Sequence, residues 1–340
     1  MSLQLLPLSI GSLPHLDAEA ASAVVRDCFH ELPAWPQLPK RSFLENMYVQ
    51  FSEGFPGLVL EEGRIYVDRS GDLSPELERL YTACLEEDLD GYALAPAYAA
   101  GFAEFLKGDF RDCAAVKGQV TGPVSWALTV VDQDLRPVLY DEVLADAVAK
   151  HLRLKAMWQE RELRRLHGTT ITFVDEPYMS SFGSAYVALT RDQAVALMEE
   201  VLRGLAGITG VHCCGNTDWS LVLSTSIDIV SFDAYDYAES LALYPEEIDQ
   251  FLRRGGLIAW GMAPREPEAL ARETPRSLAD RLLGAMDLLA KKGLALDDLL
   301  AASLVSPSCG LGSLSVAEAE RALELTAGLS QEMRARVGTG

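Results

Sequence analysis

Basic residues are scarce in this 340-residue chain: 29 Lys and Arg stand against 50 Asp and Glu, giving a formal net charge of −21. A field of that sign repels phosphate backbones and anionic headgroups, which argues against nucleic acid and membrane surfaces as partners. Long hydrophobic runs are missing too. No stretch approaches the ~20 uninterrupted apolar residues a membrane span requires, and Met1 to Ser12 lacks the basic start and long apolar run of a secretory signal. The expected location is the cytoplasm. Cysteine is too sparse for a stapled fold: Cys28, Cys84, Cys113, Cys213, Cys214 and Cys309 are scattered through a long chain, so reduced thiols are expected. There is no low-complexity run, no repeat of fixed period and no linker-like stretch. No G-x-G-x-x-G follows a strand, no G-x-x-x-x-G-K-[ST] occurs, and no G-x-S-x-G turn is present, so nucleotide folds and serine hydrolases lose their usual support.

What remains is an ordinary globular composition, 49% hydrophobic and 23% charged, arranged as an alternation. Short β-rich segments fall at 5–10, 114–120, 170–174, 209–213, 227–232, 257–261 and 302–305, with a short polar-flanked segment at 65–68 read as a hairpin arm. Helical periodicity fills the gaps at 17–31, 74–89, 101–106, 137–166, 191–205, 245–254, 275–292 and 316–329, with Asp17 placed to cap the first. The segment 33–39 holds three prolines and reads as a loop, and 42–51 is left unassigned. Strand followed by helix throughout implies a parallel sheet with helices outside it. Eight candidate strands fit a closed (β/α)₈ TIM barrel better than an open sheet. The expectation is one α/β domain over residues 1–340, with an N-terminal insertion or extension around 33–75.

In such a barrel the chemistry sits at the carboxyl ends of the strands. His212-x-Cys214 ends one of them, and residues i and i+2 on a strand share a face, so both can converge while Cys213 points away. Cys309 follows the last strand, and Asp233 ends the strand between. Imidazole and thiolates are the ligands of zinc, and three soft donors at strand ends make a metal site the sharper reading. The alternative is a set of small buried apolar residues around a satisfied histidine. Asp175-Glu176-Pro177 leaves two carboxylates at another strand end, suited to holding a substrate ammonium, orienting a ligand or acting as acid or base; a capping or salt-bridged pair is the plainer alternative. Cys28, Cys84 and Cys113 are read as core, and His151 and His167 as surface residues on or after a long helix whose charged faces are solvated.

Together, Ile10-Gly11-Ser12-Leu13-Pro14, Gly118-Gln119-Val120-Thr121-Gly122-Pro123, Asp175-Glu176-Pro177, His212-Cys213-Cys214 and Ser308-Cys309-Gly310-Leu311 resemble the catalytic C-terminal half of cobalamin-independent methionine synthase. That family lies within the superfamily holding uroporphyrinogen decarboxylase and the corrinoid-linked thiol methyltransferases. The pieces come in the family's order and span nearly the whole chain. The resemblance implies a (β/α)₈ barrel with zinc (Zn2+) on His212, Cys214 and Cys309. Asp233 stands where the family has a glutamate as fourth ligand. It implies that Ser12 contacts the carboxylate of homocysteine, that Asp175 holds its ammonium, and that Glu45 is a further substrate-binding carboxylate. The full-length synthase uses a second barrel for methyltetrahydrofolate polyglutamate, and 340 residues leave no room for one. The expected donor is therefore a methylcorrinoid, free or on a corrinoid protein, the acceptor homocysteine or another small thiol, and the product methionine. Two further readings stand beside it. A uroporphyrinogen decarboxylase-like enzyme would leave His-x-Cys unexplained and lacks its arginine-bearing N-terminal segment here. The other is a non-catalytic barrel that binds zinc or a corrinoid.

Overall fold

The computed structural model describes residues 3–61, 63–184 and 187–338. Nine strands occur among them: β1 (Leu58–Glu61), β2 (Arg64–Val67), β3 (Val116–Thr121), β4 (Val131–Asp132), β5 (Thr170–Asp175), β6 (Ile208–Cys213), β7 (Ile229–Asp233), β8 (Leu257–Ala263) and β9 (Ser303–Pro307). Six of them form one parallel sheet in the order β3-β5-β6-β7-β8-β9. Consecutive parallel neighbours require a crossover, and a helix lies in every gap, including Glu142–Arg164, Arg191–Leu202, Trp219–Leu223, Pro245–Arg253 and Pro275–Ala290, while Val316–Val337 follows the last strand. The caps that start these helices are legible locally: Asp17 accepts from Ala20 N at 2.8 Å, and Thr190, Thr274 and Ser315 each close a capping box.

Both outer edges of the sheet continue into extended segments. Leu8 N donates to Val305 O (2.9 Å) and Val305 N to Leu6 O (3.1 Å), which sets residues 5–8 beside β9. Lys117 N donates to Pro33 O (2.9 Å) and Trp35 N to Lys117 O (3.3 Å), which sets 33–37 beside β3. A parallel bridge between Ser12 and Gln37 joins the two flanks. The proline-rich stretch 33–39, expected to be a loop, is thus a sheet neighbour. Its prolines cannot donate, but the two donors the ladder needs come from Trp35 and Gln37, which lie between them. The segment 65–68 is not part of the parallel sheet: it pairs antiparallel with β1 in a separate three-stranded sheet, β1-β2-β4. The unassigned stretch 42–51 holds a 3₁₀ turn, Phe43–Glu45, and a short helix, Met47–Gln50.

Alternation along each strand sorts the side chains into two apolar clusters. The larger includes Val116, Val174, Val211, Cys213, Phe232 and Trp260 and packs against the helices. The smaller holds Leu6, Leu8, Ile10, Ile171, Phe173, Ile229, Ala259 and Leu304 on the opposite face. That inner face turns polar toward the carboxyl ends of its strands: Ile171 and Phe173 give way to Asp175 on β5, Gly210 to His212 on β6, and Ile229 to Ser231 and Asp233 on β7. An apolar plug below and polar groups above is the layout that leaves a site at that end.

The helix Glu142–Arg164 departs from expectation. His151, Arg153, Lys155, Gln159, Glu160 and Glu162 are buried on it rather than solvated. Backbone carbonyls of Phe51, Cys84 and Ala93 accept from His151, Arg153 and Lys155, Glu200 pairs with Arg153, and Glu160 accepts from the Ala206 and Gly207 amides. His151, expected at the surface, bonds through Nε2 to Phe51 O at 2.8 Å, and burial pushes its pKa down to about 3, aided by the nearby Lys155 charge. His167 is half-buried and bonds locally to Thr169. Cys84 and Cys113 are core residues, and Cys28 is half-buried against the same cluster. Gln159 behaves as a piece of strand: its Oε1 accepts from Gln119 N and its Nε2 donates to Gln119 O, both at 2.9 Å, while Trp35 Nε1 also donates to Oε1. An added Cβ at Gly118 would collide with that oxygen and lie 2.9 Å from Leu163 Cδ1, so only glycine lets the helix approach. No helix among the described residues is long and apolar enough to cross a membrane.

Candidate metal centre

A cavity of about 300 Å³ opens at the carboxyl ends of the parallel strands, and Ser12, Glu45, Asp175, His212, Cys214 and Cys309 all line it. Ser12, Asp175, His212, Cys214 and Cys309, spread over nearly 300 positions, meet there because each ends or follows an extended segment of the parallel sheet or its flank, whereas Glu45 comes from the 3₁₀ turn Phe43–Glu45. One ring nitrogen of His212 and the sulfurs of Cys214 and Cys309 lie within 4.8 Å of one another. Cys213 points to the outer core, as strand alternation requires. His212 Nδ1 lies 3.0 Å from Ser231 Oγ, whereas its Nε2 is buried with no hydrogen-bond partner. The Cys214 thiol is pulled down to about 4, chiefly by the hydrogen bond from Cys309 and then by His212 and the Arg265 charge, and Cys309 is correspondingly pushed up. Two neighbouring sulfurs beside a buried imidazole nitrogen are a soft donor set without a closing partner. The residues present fit a metal ion.

Asp233 lies just outside that trio. Its Oδ1 accepts from Asp236 N at 3.0 Å as the cap of the helix Ala234–Leu241, and burial raises its pKa to about 7. It is not a wall of the cavity. Nor is Glu176, whose carboxylate accepts from Val124 N (2.9 Å), Ser125 N (2.8 Å) and Ser125 Oγ (2.6 Å) at the start of the helix Pro123–Thr129. The two carboxylates that stand side by side in sequence therefore face opposite ways. Asp175 turns inward, and its Oδ1 is buried without a partner. Burial raises its pKa to about 6 against the opposing charges of Lys117 and His212.

Glu45 reaches the cavity from the 3₁₀ turn capped by Ser42. Its Oε1 pairs with Arg41 at 2.5 Å, and its Oε2 is buried and unpartnered. Burial raises its pKa despite that pair. The segment is pinned in place, since Thr121 Oγ1 donates to Met47 O (2.6 Å) and Trp126 Nε1 to Tyr48 O (2.8 Å). Ser12 enters from the first turn, and its Oγ accepts from Gly312 N at 3.3 Å. A Cβ on Gly310 would collide with that hydroxyl, so the glycine after Cys309 makes room for Ser12. His15 lies outside this cavity and pairs with Glu320 at 3.2 Å.

Three residues that shape the site were not singled out from sequence. Lys117 is fully buried, donates to Ile10 O (2.9 Å) and Gln119 Oε1 (3.1 Å), and sits 4.4 Å above the Phe173 ring. A charged residue inside an apolar strand was its signal. Ser231 and Arg265 carry no such mark; strand register alone brings Ser231 opposite His212.

The solved structure of a B12-independent methionine synthase from Shewanella sp. W3-18-1, in complex with selenomethionine, is similar to this chain, with a TM-score of 0.61 and 18% sequence identity. The match covers 99% of this chain and 100% of the other. At that identity the likeness shows the fold. No protein-family model and no curated protein matches the sequence.

Proposed function

We propose that the chain is a zinc-dependent methyltransferase that methylates the sulfur of homocysteine from a methylcorrinoid donor, giving methionine. The reading treats the six-stranded sheet and its two extended flanks as eight staves of one closed (β/α)₈ barrel. Residues 1–340 are then a single domain, and 33–75 both supplies a stave and covers the mouth. The observation that carries it is the unpartnered His212 Nε2 beside two cysteine sulfurs, in a cavity that also holds two unpartnered carboxylate oxygens.

His212, Cys214 and Cys309 would hold the metal, with Asp233 as the proposed fourth ligand. Zinc, when bound, supplies a lowered thiol pKa, so that a nucleophilic sulfur exists at neutral pH. The chain's own residues do the rest. Asp175 and Glu45 offer buried, unpaired carboxylate oxygens, which suit a substrate ammonium and disfavour a neutral thiol. Ser12, which lines the same cavity, offers a hydroxyl to the acceptor's carboxylate. Lys117, beneath Asp175, favours its ionised form. The burial of these walls excludes water, and holding sulfur and methyl carbon in line removes much of the entropic barrier. The sulfur's lone pair forms the new S–C bond while the electron pair of the broken cobalt–carbon bond stays with the corrinoid.

Zinc per chain in the wild type and in Cys309→Ser, followed by methionine formation from methylcobalamin and L-homocysteine, tests this. About one zinc in the wild type, weakened in the variant, with turnover that follows the zinc, is the expected result. No zinc retained or taken up by reduced wild-type protein overturns it.

A further inference from the structure

We infer that Ser231 is a positioning residue that fixes the tautomer of His212. The inference rests on the metal reading of the same site. His212 and Ser231 are direct neighbours in the parallel register of β6 and β7, and their side chains share the inner face. Both are buried, Ser231 completely, so water does not compete for either side chain. The Oγ–Nδ1 separation is 3.0 Å, and the ring's Nε2 is buried on the other side.

A neutral imidazole carries one proton, on one of two nitrogens. If it sits on Nε2, a donor points into a buried space between sulfurs and the lone pair needed by a metal is lost. If it sits on Nδ1, the N–H donates to Ser231 Oγ and the Nε2 lone pair is left for a ligand. The hydroxyl oxygen is placed to accept in the second arrangement, which leaves neither nitrogen idle once Nε2 is occupied. Partners of this kind orient ligating histidines, and their loss weakens metal affinity by about 10–100-fold. Ser231 does this without touching metal or substrate, so its effect should appear in binding before chemistry.

The experiment measures zinc affinity by chelator competition for the wild type, Ser231→Ala and Ser231→Thr, with the thermal midpoint of each metal-free protein alongside. Expected are about one tight zinc in the wild type, a loss of about 10–100-fold in Ser231→Ala with a metal-free midpoint lowered no further than the loss of one buried hydrogen bond takes it, and recovery in Ser231→Thr. Wild-type affinity in Ser231→Ala overturns the assignment while leaving the metal site standing. No zinc in the wild type removes the metal reading itself and this inference with it. Should Ser231→Ala not fold, ¹⁵N-histidine spectra of the metal-free wild type, in which no ion dictates the tautomer, decide alone. A proton on His212 Nδ1 supports the assignment, and a proton on Nε2 overturns it.

Discussion

Removing the Glu176 carboxylate should cost stability rather than a catalytic step. Its two oxygens satisfy the Val124 and Ser125 amides and the Ser125 hydroxyl, which in turn accepts from Tyr178 N at 3.0 Å. Glu176→Ala strands two buried N–H groups at about 1–3 kcal/mol each and empties the volume of the side chain, adding about 1–2 kcal/mol. Against this, burial has pushed the Glu176 pKa from 4.5 up to about 7, so deleting the carboxylate recovers about 3 kcal/mol. The net loss is about 0–5 kcal/mol, centred on about 2.5 kcal/mol, or at about 2 °C per kcal/mol a fall of about 5 °C in the melting midpoint. Glu176→Gln keeps one acceptor oxygen and should fall about half as far. The assay is thermal unfolding followed by far-UV circular dichroism, with zinc content and methionine formation measured below the transition. If Glu176→Ala melts within 1 °C of wild type yet turns nothing over, the carboxylate works on substrate and its reading as a tie to the helix Pro123–Thr129 is wrong.

Asp175→Asn should do the opposite, raising the KM for homocysteine by about 30-fold or more while zinc content holds, because the lost pairing of a buried charge is worth at least about 2 kcal/mol. Untouched homocysteine kinetics would remove Asp175 from the acceptor site. Gly118→Ala drives a methyl into Gln159 Oε1 and should cost about 2–4 kcal/mol, whereas Gly91→Ala, with nothing within 4 Å of its Cβ, should be near neutral; equal urea midpoints for the two would refute the close approach. His151 has a folded pKa of about 3, below its ordinary 6.5, so its neutral burial contributes stability above pH 6.5 that is lost as pH falls toward 3. The slope is up to about 1.4 kcal/mol per pH unit, and His151→Gln should flatten the profile between pH 6.5 and 4.5; parallel profiles would show that the ring protonates freely in the fold.

The inner face of the sheet explains why function concentrates at one end. Below, Leu6, Leu8, Ile171 and Phe173 interlock without polar groups. Above, Lys117, Asp175, His212, Ser231 and Asp233 are all buried, and only some have partners within the protein. Such a layer is costly for stability, since burying a polar group without a hydrogen bond disfavours the fold. Orphaned atoms on Glu45, Asp175 and His212, all lining one cavity, mark where a ligand would complete the bonding.

Sequence alone determined what depends on local pattern and on the face a residue takes along a strand. The order of strands and helices, the Asp17 cap, the opposed directions of Cys213 and Cys214, and the association of six chemically apt residues with strand ends were all legible, because period and capping chemistry act over a few residues. Tertiary structure decided what depends on neighbours far away in the chain. The proline-rich 33–37 became a sheet neighbour because the two donors it retains meet Lys117 and Gly11. The long helix buried its charged side chains because partners far away in the chain, from the Phe51, Cys84 and Ala93 carbonyls to Glu200 and the Ala206 and Gly207 amides, close over them. Asp175 and Glu176, alike in sequence, parted company because a strand ending turns one side chain into the cavity and the other to the start of the helix Pro123–Thr129. Ser231 gained its importance from a register that pairs it with His212 from 19 residues away. These outcomes were set by burial and long-range hydrogen bonding, which no local window of the sequence contains.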